Sequence, residues 1–306
     1  MCGILGVTPA EMVGADMYTF IDANKAAFSV LLMCACLGVS RSGFYEWLTR
    51  EDSPTAQRRS KLLILIKKAF ADSDGTYGYR RVHEQLVRWG HPVSLELVRR
   101  LMRAADLRPC QPRPWRPTTT IAGDAAGIPD LVRRDFTAHR PGIKLIGDIT
   151  YVRTWQGWLY LALVIDCYSK MIVGWAMDDN YKTPLIQSAI RMAARNLALP
   201  TGAIFHSDRG SNYTSEDFAK TLRDLGLRQS VGRTGICYDN AMAESVNGAV
   251  KVELVNRAEY ATRDAARREI ARYIELYYNT RRFHSGLGYR TPREVMDEYH
   301  RMQAGA

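Results

Sequence analysis

The sequence predicts an α/β protein with a mixed five-stranded sheet and flanking helices, preceded by small all-α units. Three observations carry that expectation. Residues 143–179 hold three consecutive strand-like runs, IKLIGDITYVRT, GWLYLALVIDCYSK and MIVGWAMDD, with turns at Gly157 and around Lys170. After them, helix and strand patterns alternate. Before them, from 17 to 107, the periodicity is helical.

The first helical stretch, MYTFIDANKAAFSVLLMCACLG, leads into VSRSGFYEWLTR, with Gly38 in the turn and Ser40 or Ser42 as the cap. Helix, short glycine-containing turn and second helix match a helix-turn-helix unit, and an ordinary helical hairpin fits equally well. Arg41, Tyr45 and Trp47 on the second helix suit either a groove or packing. A second, basic helix-turn-helix-like unit for DNA is expected over 56–107: amphipathic QRRSKLLILIKKAFA, the turn TYGYRR, the short helix VHEQLVRWG, and SLELVRRLMRAADL capped by Ser94. Residues 108–129, RPCQPRPWRPTTTIAGDAAGIP, hold five prolines and three arginines without a period, which reads as an extended linker.

After the three strands come the helix TPLIQSAIRMAARNLAL, the strand AIFHSD, the helix SEDFAKTLRDLG, the strand LRQSV and a long helix from Tyr238 to about Val255. Three antiparallel strands followed by alternating helix and strand are the order of an RNase H-like α/β fold. The expected domains are 1–55, 56–107, a linker at 108–140, the core at 141–256, and a helical, arginine-rich segment at 257–306.

Net charge is +10, and its distribution is uneven. Residues 1–57 are net −3, 58–140 net +9, 141–256 net +1 and 257–306 net +3. A basic block of that kind suits a polyanion, although a solvated basic surface has the same composition. None of the six cysteines forms a CxxC pair or has zinc-site spacing to histidine, which argues against a structural zinc module. With no secretory signal pattern, they read as reduced thiols of a cytoplasmic protein. The apolar run AAFSVLLMCACLGV is too short to span a bilayer, so no membrane partner is expected.

Three carboxylates stand out. Asp148 lies inside an apolar strand, where a charge is costly unless paired or bound to metal. Asp208 closes the strand AIFHSD just before Arg209-Gly210, where the alternative is a turn aspartate bonding its own backbone. Glu244 shares one helical stripe with Asn240, Asn247 and Lys251, opposite Met242, Val246, Ala249 and Val250. A solvated polar face is the plain alternative for that stripe.

Together Asp148, Asp208 and Glu244 resemble the catalytic triad of DDE recombinases, with 35 residues between the last two. Lys251 falls where the retroviral-integrase-like subgroup places a basic residue. Asp148-Ile149-Thr150-Tyr151, GWLYLALVID, VGWAMDD, HSDRGSNYTS, CYDNAMAESVN and YNTRRFHSGLGYRTP resemble OrfB proteins of bacterial insertion sequences. So do LGVSRSGFYEWL and YGYRRVHEQL, and the resemblance spans roughly 17–297. Ser245-Val246-Asn247 and Phe283 depart from the usual pattern. Residues 1–16 have no counterpart and read either as translation upstream of Met17 or as sequence from a frameshift junction.

The resemblance implies a DNA transposase that cleaves and joins strands by phosphoryl transfer. Hard oxygen ligands favour Mg²⁺ or Mn²⁺, and two ions are expected at Asp148, Asp208 and Glu244. A loose site without metal is also expected. Alternatives are an RNase H-like nuclease or junction resolvase, and a DNA-binding regulator with a degenerate core. Expected DNA contacts are Lys251, Asn240, Asn247, Tyr79, Arg80, Arg81, Arg99, Arg100, Arg281 and Arg282. Implied partners are the element's terminal repeats, target duplex, further copies of the chain on DNA, and an OrfA-type protein or fusion.

Overall fold

Alternating apolar residues build a sheet that positions two aspartates side by side. In the computed structural model, which describes residues 14–110, 127–232 and 240–305, five strands pair in the order β3-β2-β1-β4-β5. They are β1 (Lys144–Thr154), β2 (Gly157–Asp166), β3 (Ile172–Asp178), β4 (Ile204–Ser207) and β5 (Arg228–Val231). β1–β2 and β2–β3 are antiparallel, whereas β1–β4 and β4–β5 are parallel. The sheet is therefore mixed and five-stranded, as expected.

Both tight turns fall where the sequence places them. Gly157 takes φ +102, and Lys170 closes the second turn at φ +59. Asp166, fully buried, organises that second turn by accepting from Gly142 N, Ser169 N and Ser169 Oγ at 2.9, 2.8 and 2.6 Å.

Each sheet face carries its own core. One face buries Ile146, Val152, Leu161 and Ile165 against α9 (Ala241–Glu253) and α10 (Arg263–Arg272). The other buries Leu145, Ala162 and Val164 against α7 (Thr183–Asn196) and α8 (Glu216–Asp224). Gly147 is required by close approach, because a Cβ there would lie 2.2 Å from the Phe205 ring. α9 begins at Ala241, and the expected start at Tyr238 lies outside the described residues.

The chain divides into two compact units, one up to Ile64 and one from Leu65 onward, with the boundary inside α4 (Pro54–Asp72). In the first, α1 (Gly14–Asn24), α2 (Val30–Leu37) and α3 (Arg41–Thr49) enclose Ile21, Met33 and Phe44. The expected single first helix is two helices, because the chain turns between Asn24 and Val30 and Ser29 is extended. Gly38 caps α2 in the left-handed region, and Ser40, not Ser42, caps α3 by accepting from Gly43 N at 3.0 Å.

In the second unit, α5 (Tyr79–Arg88) and α6 (Leu95–Ala104) join the end of α4 around Ile66, Val82, Leu86, Val98 and Met102. Phe283 from the C-terminal segment completes this cluster. TYGYRR is only half a turn, since Gly78 caps α5 and Tyr79, Arg80 and Arg81 form its first turn. Tyr77 is core: it stacks near Phe283 and its hydroxyl donates to Arg281 O at 2.8 Å. Within the expected linker, Val132 is buried, Leu131 N bonds Ser230 Oγ at 2.9 Å and Val231 N bonds Pro129 O at 3.3 Å. Residues 129–132 therefore extend the β5 edge instead of spacing domains.

The C-terminal segment is tied to both parts of this unit. Asn279 pairs both amide atoms with the Ile172 backbone at 3.0 Å, mimicking a strand neighbour at β3. α11 (Pro292–Ala304) starts in a capping box of Thr291 and Glu294. Glu253, buried at the end of α9, accepts two bonds from Arg282 at 2.8 and 2.7 Å, one from Tyr273 at 2.8 Å and one from Arg81 at 3.3 Å. Arg282 also donates to His284 Nε2 at 3.3 Å, which requires a neutral imidazole.

Burial, then Arg282, Arg81 and Lys170, holds the His284 pKa down to about 3. Because the folded state resists protonation, this contribution to stability is full above about pH 6.5 and is lost as pH falls towards 3. His284→Gln should flatten that limb of the stability-versus-pH curve in urea titrations. An unaltered limb would assign the acid sensitivity elsewhere.

Candidate active site

Asp148 and Asp208 meet because of strand register. β1 and β4 pair in parallel up to Ile146↔His206, so both aspartates lie two residues beyond the last paired position. There the strands part, at the carboxyl end of β4, which is where α/β sheets open crevices for ligands. Both side chains are partly buried.

Their electrostatics show a shared environment. Burial first, then Asp208, pushes the Asp148 pKa up to about 7; bonds from Ile149 N and Asn247 oppose this, and Glu244 adds a smaller rise. Burial also raises Asp208, against a bond from Gly210 N and the charge of His206. The Tyr213 hydroxyl, buried and facing both aspartates, is pushed well above its ordinary value and stays protonated. Asp166 is a useful contrast. Burial raises it as well, but it is fully buried among donors from Gly142 and Ser169 that oppose the rise, whereas Asp148 faces other carboxylates. Asp166 serves the turn, and Asp148 is left with like-charged neighbours that a cation would relieve.

The turn alternative for Asp208 is half right. Its Oδ1 accepts from Gly210 N at 3.0 Å, and Arg209 Nε ties the loop to Gly232 O at 2.6 Å. One oxygen serves the turn, and electrostatic reach to Asp148 remains. Glu244 is exposed in the first turn of α9 and is the least drawn in of the three. Among the described residues, no three His, Cys, Asp or Glu side chains group closely enough to hold a metal ion.

The other expected residues divide sharply. Asn247 is buried, not solvated: its Nδ2 donates to Asp148 Oδ2 at 2.5 Å, and its Oδ1 has no partner. Asn240 is buried too, with Oδ1 unpartnered. These are corrections, because α9 packs over β1, the central strand, and turns part of its polar stripe inward. Lys251 sits half-buried with its ammonium 4.7 Å from the Tyr151 ring centre. Burial lowers its pKa, and Asp148 opposes that. Arg80, Arg99, Arg100 and Arg281 are exposed, although Arg99 pairs with Glu96 at 2.8 Å. Tyr79 is partly exposed, with Arg80 against its ring. Arg81 and Arg282 are corrected as well, since both donate to the buried Glu253 and are not free for DNA.

Sequence reasoning missed Tyr213, Trp155, Trp158 and Glu253. The signal for Glu253 was available: it follows Val246 and Val250 on the packed face of α9.

Comparisons with known proteins define the class first. Residues 138–237 and 225–292 match family models described as integrase core domains, and 57–115 match one described as an HTH-like domain. A 31 kDa protein of insertion element IS600 from Shigella sonnei is 39% identical over 89% of this chain and 100% of its own length. Transposase InsF of insertion sequence IS3A from Escherichia coli (strain K12) is 36% identical over 90% of this chain and 97% of its own. The HTLV-2 integrase catalytic core domain, solved in complex with magnesium, aligns with 52% of this chain and 99% of that one, at 16% identity and TM-score 0.42. The chain belongs to the insertion-sequence transposase family that includes InsF of IS3. It is a DDE-type transposase with an integrase core, and DNA is its partner.

Proposed function

We propose that Asp148, Asp208 and Glu244 are the carboxylates with which this transposase performs metal-dependent DNA cleavage and strand transfer. The observation carrying the proposal is the register by which Asp148 and Asp208 both lie two residues beyond the last β1–β4 pair, close enough for the charge of Asp208 to raise Asp148. The donor set fits a hard cation. Carboxylates raised by burial gain by binding one, and the unpartnered Oδ1 of buried Asn247 is a spare oxygen beside Asp148. When bound, two Mg²⁺ or Mn²⁺ ions would supply positive charge for the attacking and departing oxygens of phosphoryl transfer.

The chain's own residues do the rest. Asn247 orients Asp148 through its amide, Gly210 N orients Asp208, and the rigid turn keeps Asp208 level with Asp148. In cleavage, water oxygen bonds to phosphorus as the 3′-oxygen leaves. In joining, the freed 3′-hydroxyl attacks target phosphorus and displaces a target 3′-oxygen. Exposed Arg80, Arg99, Arg100 and Arg281 with Lys251 contact phosphates.

Joining separates this reading from a plain nuclease. Pre-cleaved terminal-repeat DNA should be joined to target duplex with Mg²⁺ and left unjoined in EDTA. Joining that proceeds without divalent metal would overturn the metal assignment.

Several copies of the chain, together with an OrfA-type segment, complete the active assembly in this proposal. Residues 1–57 are net acidic without sustained heptads, which makes a poor primary clamp for duplex DNA. Footprints of the isolated chain should therefore be salt-sensitive and similar on terminal-repeat and scrambled duplexes. Sharp protection of the repeat alone would show that the chain reads its ends unaided.

A further inference from the structure

The β1–β2 hairpin ends in a cluster of exposed aromatic rings that no step above uses. Tyr151, Trp155 and Trp158 are 55%, 76% and 46% exposed. They line a cleft of about 510 Å³ together with Arg153, Lys251 and Glu259. Cross-strand pairing of Arg153 with Trp158 and of Tyr151 with Tyr160 places Tyr151 and Trp158 diagonally on one face, edge to face at 5.1 Å between ring centres.

The turn beneath Trp155 is fastened. Trp155 N bonds Tyr260 O at 3.0 Å, Thr154 Oγ1 donates to Gly157 O at 2.7 Å, and Arg263 N bonds Gln156 Oε1 at 3.0 Å. An exposed indole on a rigid backbone is a preorganised surface, with little ordering left to do on binding.

We propose that Tyr151, Trp155 and Trp158 form a stacking site for an unpaired nucleobase of the DNA end, with Lys251 and Arg153 taking its phosphate. The proposal rests on the carboxylate reading above and adds a subsite to it. Three details support a nucleobase as occupant. Rings present flat apolar faces, and base–aromatic stacking is the general mode for unpaired strands. The cationic wall is on the same cleft, with the Lys251 ammonium already against the Tyr151 ring. The cleft is also near the reacting position. Tyr151 is three residues from Asp148 along β1, a rise of about 10 Å or about three stacked nucleotides, and its side chain leaves the opposite pleat, so the link between the two positions is Lys251. Lys251 lies one helical turn beyond Asn247, which bonds Asp148.

A terminal base pair near the cut would thus be opened, with one base held on the rings while its strand enters the carboxylate site. Base identity matters little to such a site, because every base has a π face.

The test uses the full chain without divalent metal, so catalysis is not the readout. Equilibrium binding compares blunt duplex ends, ends with a three-nucleotide single-stranded overhang, and ends whose overhang bears abasic sites. Wild-type protein should prefer the overhang by roughly tenfold, and the abasic overhang should bind like the blunt end. Trp155→Ala should lose the preference and Trp155→Phe should retain most of it, because Trp155 is exposed and its backbone bonds survive either change. Equal affinity for blunt and overhanging ends, or a preference that persists on abasic DNA, would overturn the stacking site. So would Trp155→Ala dissociating a protein oligomer while keeping the base preference, since the rings would then be a subunit interface. Strand transfer by Asp208→Asn is measured separately, and its survival would sink the carboxylate reading without touching the binding preference.

Discussion

Asp208→Asn should leave the transposase folded and bound to DNA but unable to cleave or join. Asparagine retains the Oδ1 acceptor for Gly210 N, so the turn after β4 keeps its hydrogen bond. What disappears is one negative charge beside Asp148. The Asp148 carboxyl, pushed up to about 7 partly by Asp208, should then titrate lower, and the attraction of the site for divalent cations should weaken. Members of one concerted site are not replaceable singly, so joining of pre-cleaved ends should fall by roughly 10³-fold or more. DNA affinity should stay within a few-fold, because the exposed arginines are untouched. Gel assays for joined product, with DNA binding measured in parallel, decide the matter. Full joining activity would return Asp208 to the role of a turn residue.

Arg282→Ala should be among the most destabilising single changes outside the apolar core. It strips Glu253 of two bonds and leaves a buried carboxylate facing only Tyr273 and Arg81. Orphaning one partner of a buried ion pair costs about 3–5 kcal/mol. Thermal unfolding should register a fall in Tm on the order of 10 °C. Glu253 closes the same helix that carries Glu244, Asn247 and Lys251, so loosening its end should also weaken strand transfer at temperatures where the variant remains folded. A stability loss below 1 kcal/mol would mean that Arg81 and solvent compensate for the missing guanidinium.

Much of the site was legible from local pattern, and the failures share one cause. Strand runs, the Gly157 and Lys170 turns and the Ser40 cap follow from period-two alternation, backbone sterics and capping chemistry, each contained within a few residues. Asn247 and Arg282 were misread because polarity was taken for exposure. A polar side chain is buried wherever another segment supplies its partner, and those partners, Asp148 and Glu253, lie 99 and 29 residues away in the chain. Trp155 and Trp158 were missed for the converse reason, since aromatic residues in or beside a strand pattern read as core until the exposed end of the β1–β2 hairpin is known.

The sequence by itself determined the order of elements, the basic block and the family resemblance, and it singled out the three carboxylates proposed as the site, because periodicity, charge and motif are properties of neighbouring residues. Tertiary structure alone decided which residues meet. Parallel register sets Asp148 level with Asp208, α9 turns Asn247 inward, Arg81 and Arg282 close on Glu253, and Glu244 stays exposed. The physical reason is that strand register and helix rotation are selected by the burial of whole faces at once, and no short window of sequence contains both sides of that contact.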